Sequence, residues 1–503
     1  MKILENIKKF AEQGRIAVIC DGEQLSYSEL DRFSDAFASY IINEFGENNS
    51  SVVIYGNKDN LILVSMIAAL KSGRAYIPLD ITVPIERVEQ ILDDVKPVIF
   101  INFTEEDVKY NNSLNKEMLI SIINELEKHS CSSQKWVKND ENCYILFTSG
   151  STGKPKGVQI SKNNLDSFND WFTEYLNMDE SEEVIMNQVS YSFDVSVIPI
   201  YIGLINGKTL FTLSKKTLED YKALFEALKI SKIKYWVSTP ALAELCIKDN
   251  SFNESLLQEL ELFVFAGEVL SKKLVSELLD RFTETRIING YGPTEATVLI
   301  SAIDVTKEML EDQRSIPIGY PMTGANLKIV DKDNKEVANG EKGELLVTGK
   351  SVSKGYFNNE KITNEVFFNE ETEGNVVRGY RTGDLAYYED NIIYYCGRKD
   401  FQIKLNGFRI ELEDIESNLR RVQNINNAVV FPSYKGDKIS HLVAFVTLEN
   451  DNGLSNLKNS ILIKDELKRY IPSYMIPRNI KIIKEFPINT NGKIDRKKLM
   501  EEI

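Results

Sequence analysis

The stretch from Val52 to Gly73 constrains the fold most. Val52-Val-Ile-Tyr55 reads as a strand halted by Gly56, and an apolar-rich helical stretch runs from Asn60 to Gly73. A strand followed at once by a helix favours a covered parallel sheet, because the helix returns the chain to start a second parallel strand. The same alternation occurs near the N-terminus. There an apolar run over residues 16–20 meets the Asp21-Gly22 turn, and Ser26-Tyr-Ser-Glu29 has the spacing of a helix capping box. It returns at residues 235–238 before Pro240, and at residues 262–265 before Gly267. The expected class is α/β.

Farther on, short β-rich segments dominate from residue 316 to about residue 395, including 326–330 and 344–347, with Gly and Asn/Asp turns between them. They predict a β subdomain. The pattern restarts beyond Gly397-Arg-Lys-Asp400: Leu412, Ile415, Leu419 and Val422 recur at helical spacing, and residues 428–431 and 442–446 read as paired strands. At 503 residues the chain is too long for a single core. We therefore expect a large N-terminal core of α/β layers over residues 1–398, containing the β subdomain, and a small α+β C-terminal domain over residues 399–503. Asn111-Asn-Ser113 and Asn424-Ile-Asn-Asn427 read as turns.

Charge narrows the function. With 75 acidic and 60 basic residues the formal charge is -15, and no long Lys/Arg block interrupts it. A duplex-DNA or anionic-membrane binder is not expected, so any anionic ligand needs a local site. The longest apolar stretch, residues 61–70, falls well short of the ~20 residues of a bilayer span. Met1-Lys-Ile-Leu-Glu5 has no signal-peptide core, and a cytoplasmic location is expected. Cys20, Cys131, Cys143, Cys246 and Cys396 are scattered without C-x-x-C spacing and read as reduced, mostly buried thiols. His129 and His441 are the only histidines, too few for a Ser-His-Asp hydrolase, a Cys-His protease or a His-rich metal site. Chemistry must then use lysine, carboxylates, backbone amides and a borrowed cation.

The strongest local signal is Tyr144-Ile-Leu-Phe-Thr-Ser-Gly-Ser-Thr-Gly-Lys-Pro-Lys-Gly157. An apolar strand runs into a loop whose glycines let backbone N–H groups turn toward an anion. Its hydroxyls add donors, and Lys154 and Lys156 add positive charge. It fits no G-x-x-x-x-G-K-[ST] register, so it is not a Walker A loop.

This loop resembles the phosphate-binding signature of the adenylate-forming superfamily. Further motifs follow in that family's order: Asn289-Gly-Tyr-Gly-Pro-Thr-Glu295, Tyr380-Arg-Thr-Gly-Asp384, the run from Gly397 to Glu411, and Asn491-Gly-Lys-Ile-Asp495. The resemblance spans essentially the whole chain. It implies ATP binding by Thr148, Ser149, Gly150, Ser151, Thr152 and Lys154 on the phosphate loop. On the adenine side it implies Asn289, Gly290, Tyr291, Gly292, Pro293 and Thr294, together with Tyr395 and Arg398. Asp384 resembles the acceptor of the ribose diol. Thr294, Glu295 and Lys493 are the implied catalytic residues. Glu295 offers a hard oxygen to Mg²⁺, and Lys493 bridges the substrate carboxylate and the α-phosphate. The resemblance further implies that the small domain is mobile, that Asp400 is its hinge, and that the loop from Lys404 to Gly407 replaces Lys493 when a thiol enters.

Ser192-Phe-Asp-Val-Ser196 resembles the pattern of amino-acid adenylators, in which the aspartate, here Asp194, pairs with the substrate's α-ammonium. A carboxylate in an apolar pocket is costly without a cation, which fits an amino acid rather than a fatty acid. The plainer alternative is that Asp194 caps the next helix. Ala266, Gly290, Val298 and Leu299 form the expected substrate wall, with Lys493 at the carboxylate end. Many family members carry cysteine at the position of Ala266. Gly290 and Leu299 also stand where other small residues are usual.

No carrier domain follows Ile503 and no condensation domain precedes Met1, which reads as a stand-alone ligase. The chain is similar to ligases that load D-alanine onto a small carrier for teichoic acid D-alanylation. The similarity includes the run from Gly157 to Phe168, Ser238-Thr-Pro240 and Phe265-Ala-Gly-Glu-Val-Leu270. The implied cofactors are ATP and Mg²⁺. The implied partners are a small amino acid, D-alanine favoured, and a separate phosphopantetheinylated carrier protein, with no nucleic acid and no membrane insertion. Glycine, L-alanine or another small amino acid stays open. An acyl-CoA synthetase and a silent nucleotide-binding regulator are the alternatives from other classes.

Overall fold

The computed structural model describes residues 1–150, 153–372, 374–435, 438–450, 452–487 and 494–501. These residues form five sheets, of nine, six, five, three and two strands. The chain divides into two compact units. The first comprises Met1–Asp80, Val95–Phe147 and Gly157–Lys399; the second comprises Ile81–Asp94, Thr148–Lys156 and Asp400–Ile503.

In the first unit, the nine-stranded sheet has a parallel centre. Ile16–Cys20, Thr209–Thr212, Val184–Asn187, Ile233–Ser238, Leu262–Phe265 and Arg286–Tyr291 pair in that order. Glu23–Ser26 closes one edge antiparallel, and Ser301–Asp304 with Tyr320–Pro321 the other. Leu262–Phe265 is apolar and buried at every position, as a strand covered on both faces must be. The expected turn to helix after residues 235–238 occurs with Pro240 opening the helix Pro240–Cys246, where its missing N–H costs nothing.

The six-stranded sheet contains Val52–Gly56 between Ile99–Asn102 and Tyr76–Asp80, all parallel. The helix between the first and last of these, Asn60–Lys71, is capped by the Asp59 carboxylate, which accepts from the Leu61 N–H at 2.8 Å. It is buried nearly all round, so it shows no polar stripe. Its Lys71 is fully buried, and the ammonium reaches Asp31 at 2.6 Å and Asp35 at 2.7 Å. The Ser26/Glu29 capping box is present at the start of Tyr27–Phe45. The β subdomain is an antiparallel sheet of Ala325–Val330, Gly343–Gly349, Asn375–Glu389, Phe367–Thr372 and Ile392–Arg398.

In the second unit, Ile425–Lys435 and Lys438–Leu448 pair antiparallel, with Asn479–Ile482 parallel to the latter. Leu412, Ile415, Leu419 and Val422 pack with Val430, Ala444 and Val446 in one core, as their spacing predicts. The hairpin Gln402–Leu405 and Phe408–Glu411 turns at Asn406 (φ 52°) and Gly407 (φ 84°), a pair suited to a two-residue turn with both central residues left-handed.

Two turn expectations are corrected in part. Asn111 and Asn112 form the expected turn, but Ser113 already opens the strand Ser113–Asn115; Ile425–Asn427 begins a long strand, so only Asn424 (φ 67°) behaves as a turn residue there. Ile425 is buried and pairs with Leu448, and that pairing outweighs the weak strand preference of asparagine.

Candidate functional site

In the first unit, the strand Arg286–Tyr291 delivers the expected nucleotide residues to its C-terminal end, the end where parallel sheets place ligands. Asn289 is fixed through Nδ2 on the Pro317 carbonyl at 2.8 Å. The rings of Tyr291 and Tyr395 lie 6.3 Å apart at 39°. The Tyr291 hydroxyl donates to Asp384, and Arg398 Nη1 donates to the other carboxylate oxygen of Asp384 at 2.7 Å. Asp384 and Arg398 are direct partners across the ladder, and the Asp384 N–H donates to the Thr382 hydroxyl at 3.0 Å. Burial, and then the Asp384 carboxylate, push the Tyr291 hydroxyl well above its ordinary value. It therefore stays a neutral donor.

The chain turns after Pro293 into the short helix Thr294–Ala296. Here the Thr294 hydroxyl donates to Asp194 Oδ2 at 2.6 Å. The helical turn Asp194–Ser196 is entered through Phe193 without a side-chain cap, so Asp194 does not play the capping role open to it on sequence grounds. Glu295 is fully buried. Its Oε1 accepts the Tyr356 hydroxyl at 2.7 Å, and its carbonyl accepts the Ser353 N–H at 2.9 Å.

Thr297 (φ 63°) and Val298 (φ 67°) are both left-handed. For L-residues this costs on the order of 1–2 kcal/mol each, and β-branched side chains rarely adopt it. The conformation folds the chain back on itself: a Cβ on Gly292 would stand 2.3 Å from the Val298 carbonyl oxygen, so glycine is required there. Ala266, Val298 and Leu299 are buried in one apolar cluster with Val195 and Tyr291. The structure thus brings Asp194, Thr294 and the expected substrate wall onto adjoining elements.

The loop expected to bind phosphate lies in the second unit. The Ser149 hydroxyl donates to the Arg409 carbonyl at 3.1 Å and accepts the Glu411 N–H at 3.1 Å. Gly150 has no room for a side chain, since a Cβ would meet the Lys154 carbonyl at 2.2 Å. Lys154 is exposed, while Lys156 is buried with its ammonium 3.4 Å from Glu411. Lys156 therefore directs its charge to Glu411, which also accepts from Gln402 at 2.7 Å. Asp414 is fully buried against Arg87 at 3.1 Å and Asn418 at 2.9 Å, and burial raises its carboxyl despite Arg87. Thr148 is half-buried, with its hydroxyl 3.4 Å from the Lys156 carbonyl. Asp400 is exposed and accepts the Gln402 N–H at 3.2 Å, and Lys404 stands directly across the hairpin from Arg409. Ser151, Thr152 and Lys493 lie outside the described residues.

Sequence reasoning missed Tyr356 and Ser353, whose roles arise only from tertiary contact, and Thr382, whose hydroxyl two residues before the Asp384 N–H is a local signal that could have found it. Among the described residues no three His, Cys, Asp or Glu side chains converge as a metal cage, and no helix is long and apolar enough to cross a membrane.

Known proteins match this arrangement. Residues 6–357 match the model of the AMP-binding enzyme family, and residues 414–493 match that of the AMP-binding enzyme C-terminal domain. A D-alanine--D-alanyl carrier protein ligase of Listeria monocytogenes is 42% identical, covering 96% of this chain and 95% of the relative. One from Bacillus licheniformis is 39% identical over the full length of both. Among solved structures, the Vibrio cholerae adenylation domain AlmE in complex with glycyl-adenosine-5'-phosphate superposes with a TM-score of 0.83 at 23% identity, covering 100% of this chain and 96% of that one. Holo-PA1221, an NRPS protein containing adenylation and PCP domains bound to a vinylsulfonamide inhibitor, also gives 0.83 at 22% identity, covering 100% and 84%. These two likenesses speak to the fold. The family match over residues 6–357, the near-full-length relatives and the ordered motifs together mean that the chain belongs to the AMP-binding enzyme family.

Proposed function

We propose that the protein is an ATP-dependent amino acid:carrier-protein ligase that activates D-alanine, or another small amino acid, and passes it to the phosphopantetheine thiol of a separate carrier protein. The observation that carries this reading is the bond from the Thr294 hydroxyl to Asp194, which sets a carboxylate beside an apolar wall where a substrate ammonium needs one. The printed names of the relatives support D-alanine and its carrier as substrates. Teichoic acid D-alanylation and a cytoplasmic location, where ATP is abundant, belong to the same proposal.

The chemistry has two steps. The amino acid's carboxylate oxygen attacks the α-phosphorus of ATP, the α–β phosphoanhydride bond breaks, and pyrophosphate leaves. The carrier's thiol then attacks the acyl carbon, the bond to AMP breaks, and the thiol proton goes to solvent. In this reading Lys493 neutralises the charge at the α-phosphate, and the phosphate loop, Ser151 and Thr152 included, holds the remaining phosphates. Asp384 receives the ribose hydroxyls, while Tyr291 and Tyr395 flank adenine. Asp400 is the hinge of the C-terminal domain, and the Lys404–Gly407 turn lines the thiol's path. Glu295, a single hard carboxylate, would hold the Mg²⁺ that accompanies ATP, an ion that needs few protein ligands. When bound, the ion supplies charge neutralisation at the phosphates.

Amino-acid-dependent exchange of labelled pyrophosphate into ATP tests the first step, with D-alanine, L-alanine, glycine and serine side by side. D-Alanine is expected to give the highest kcat/KM, and Lys493→Ala to abolish the exchange. Turnover with CoA and fatty acids, and with no amino acid, would replace this reading by an acyl-CoA synthetase.

A further inference from the structure

A buried polar cluster sits at the C-terminal ends of Val52–Gly56 and Tyr76–Asp80, where Gly56 and Asp80 are register partners. Asp80 is 8% exposed; its Oδ2 accepts the Ser190 hydroxyl at 2.7 Å and the Asn57 side-chain amide at 3.4 Å. Lys58, just beyond the first strand, donates to Asn187 Oδ1 at 2.8 Å and lies 3.5 Å from the centroid of the Tyr191 ring. Burial pushes its amine well below the ordinary lysine value, against the opposing pull of Cys20 and Asp80. The cleft among these groups has a volume of about 10 Å³, room for one water and no larger ligand. The cluster is therefore a clamp and not a second substrate site.

What it clamps is one segment. Asn187 ends the strand Val184–Asn187 of the nine-stranded sheet, and Ser190 and Tyr191 lie on its connection to Asp194, whereas Asp80 ends one strand of the six-stranded sheet and Lys58 follows another. The Ser190 carbonyl accepts the Phe193 N–H at 3.0 Å and closes a turn. The Ser190 hydroxyl also stands 3.1 Å from that of Ser192. Phe193 in turn accepts the Ser196 hydroxyl at 2.6 Å and its N–H at 3.0 Å. A continuous path runs from Asp80 through Ser190 and Phe193 to Asp194 and Thr294.

We infer that Asp80 is a positioning residue for the amino acid: its charge-assisted bond to the Ser190 hydroxyl sets the turn from which Asp194 meets the substrate's ammonium. The inference rests on the reading of Asp194 given above. It predicts a selective defect. Asp80→Asn and Ser190→Ala should each raise KM for the amino acid about tenfold in pyrophosphate exchange, with KM for ATP unchanged. The double variant should be no worse than the poorer single one, because both break the same link. A merely structural role would instead lower the active fraction, reducing kcat while leaving both KM values in place. That result, or a parallel rise in both KM values, overturns the inference. Ser190→Ala decides the matter if Asp80→Asn does not fold. Asp194→Asn separates the two levels. Should it leave the amino-acid KM unmoved, the reading of Asp194 fails and the inference with it. Should it raise that KM while Asp80→Asn and Ser190→Ala do not, the inference alone fails.

Discussion

Leu299 occupies the space that a side chain on Gly290 would need: a Cβ there would lie 2.8 Å from Leu299 Cδ1 and 3.1 Å from Cδ2. Loss of bulk at one position and gain at the other are thus two halves of one packing solution. Gly290→Ala alone should destabilise the protein by about 1–3 kcal/mol through overpacking. Leu299→Ala alone should cost about 2–5 kcal/mol through a cavity. The double variant should cost less than the sum, which thermal denaturation of the four proteins would measure.

Tyr291 and Arg398 hold Asp384 from two sides. Tyr291→Phe keeps the ring but removes one donor, and KM for ATP should rise about three- to tenfold, as for one lost hydrogen bond. The amino-acid KM should not change. Steady-state exchange at varied ATP checks this.

Stability should depend on pH through Glu183. Burial alone would raise its carboxyl. Hydrogen bonds from Lys208 (2.5 Å), Lys234 (2.5 Å) and Tyr235 (2.7 Å) outweigh burial and bring it from the ordinary 4.5 to about 2. A depressed folded value means the stabilisation is fully present above pH 4.5 and is lost as pH falls toward 2. Glu183→Gln should flatten that part of the urea-midpoint profile. It should also cost about 3 kcal/mol at pH 7, because the fully buried Lys208 loses its most buried acidic partner.

The thiols should differ in reactivity. Burial pushes Cys20 and Cys246 up to about 12 and Cys131 to about 11, and raises Cys143 also. Cys396 is raised as well but is half-exposed. Iodoacetamide at pH 8 should therefore label Cys396 first in the folded protein, with the other four reacting only after denaturation, as mass spectrometry of the peptides would reveal.

Legibility in the sequence followed distance along the chain. The Ser26/Glu29 box is a local rule and reads directly. Asp194 and Thr294 could be named because each sits in a motif, although their bond spans 100 residues and no spacing rule connects them. Tyr356, 61 residues from Glu295, has no motif and was invisible. The positive charge of Lys156 is legible in its loop, whereas its partner Glu411, 255 residues away, is not. Asn426 and Asn427 stand in a strand instead of a turn because a buried Ile425 paired with Leu448 decides their conformation.

The left-handed backbone at Thr297 and Val298 bears on any attempt to retune selectivity. On the proposed role of Val298 in the substrate wall, trimming it to alanine would enlarge the site yet retain most of the backbone penalty, whereas glycine would remove the penalty and free the wall to wander. Redesign at that position therefore trades volume against rigidity, and a variant library there should be ranked by backbone preference before side-chain size.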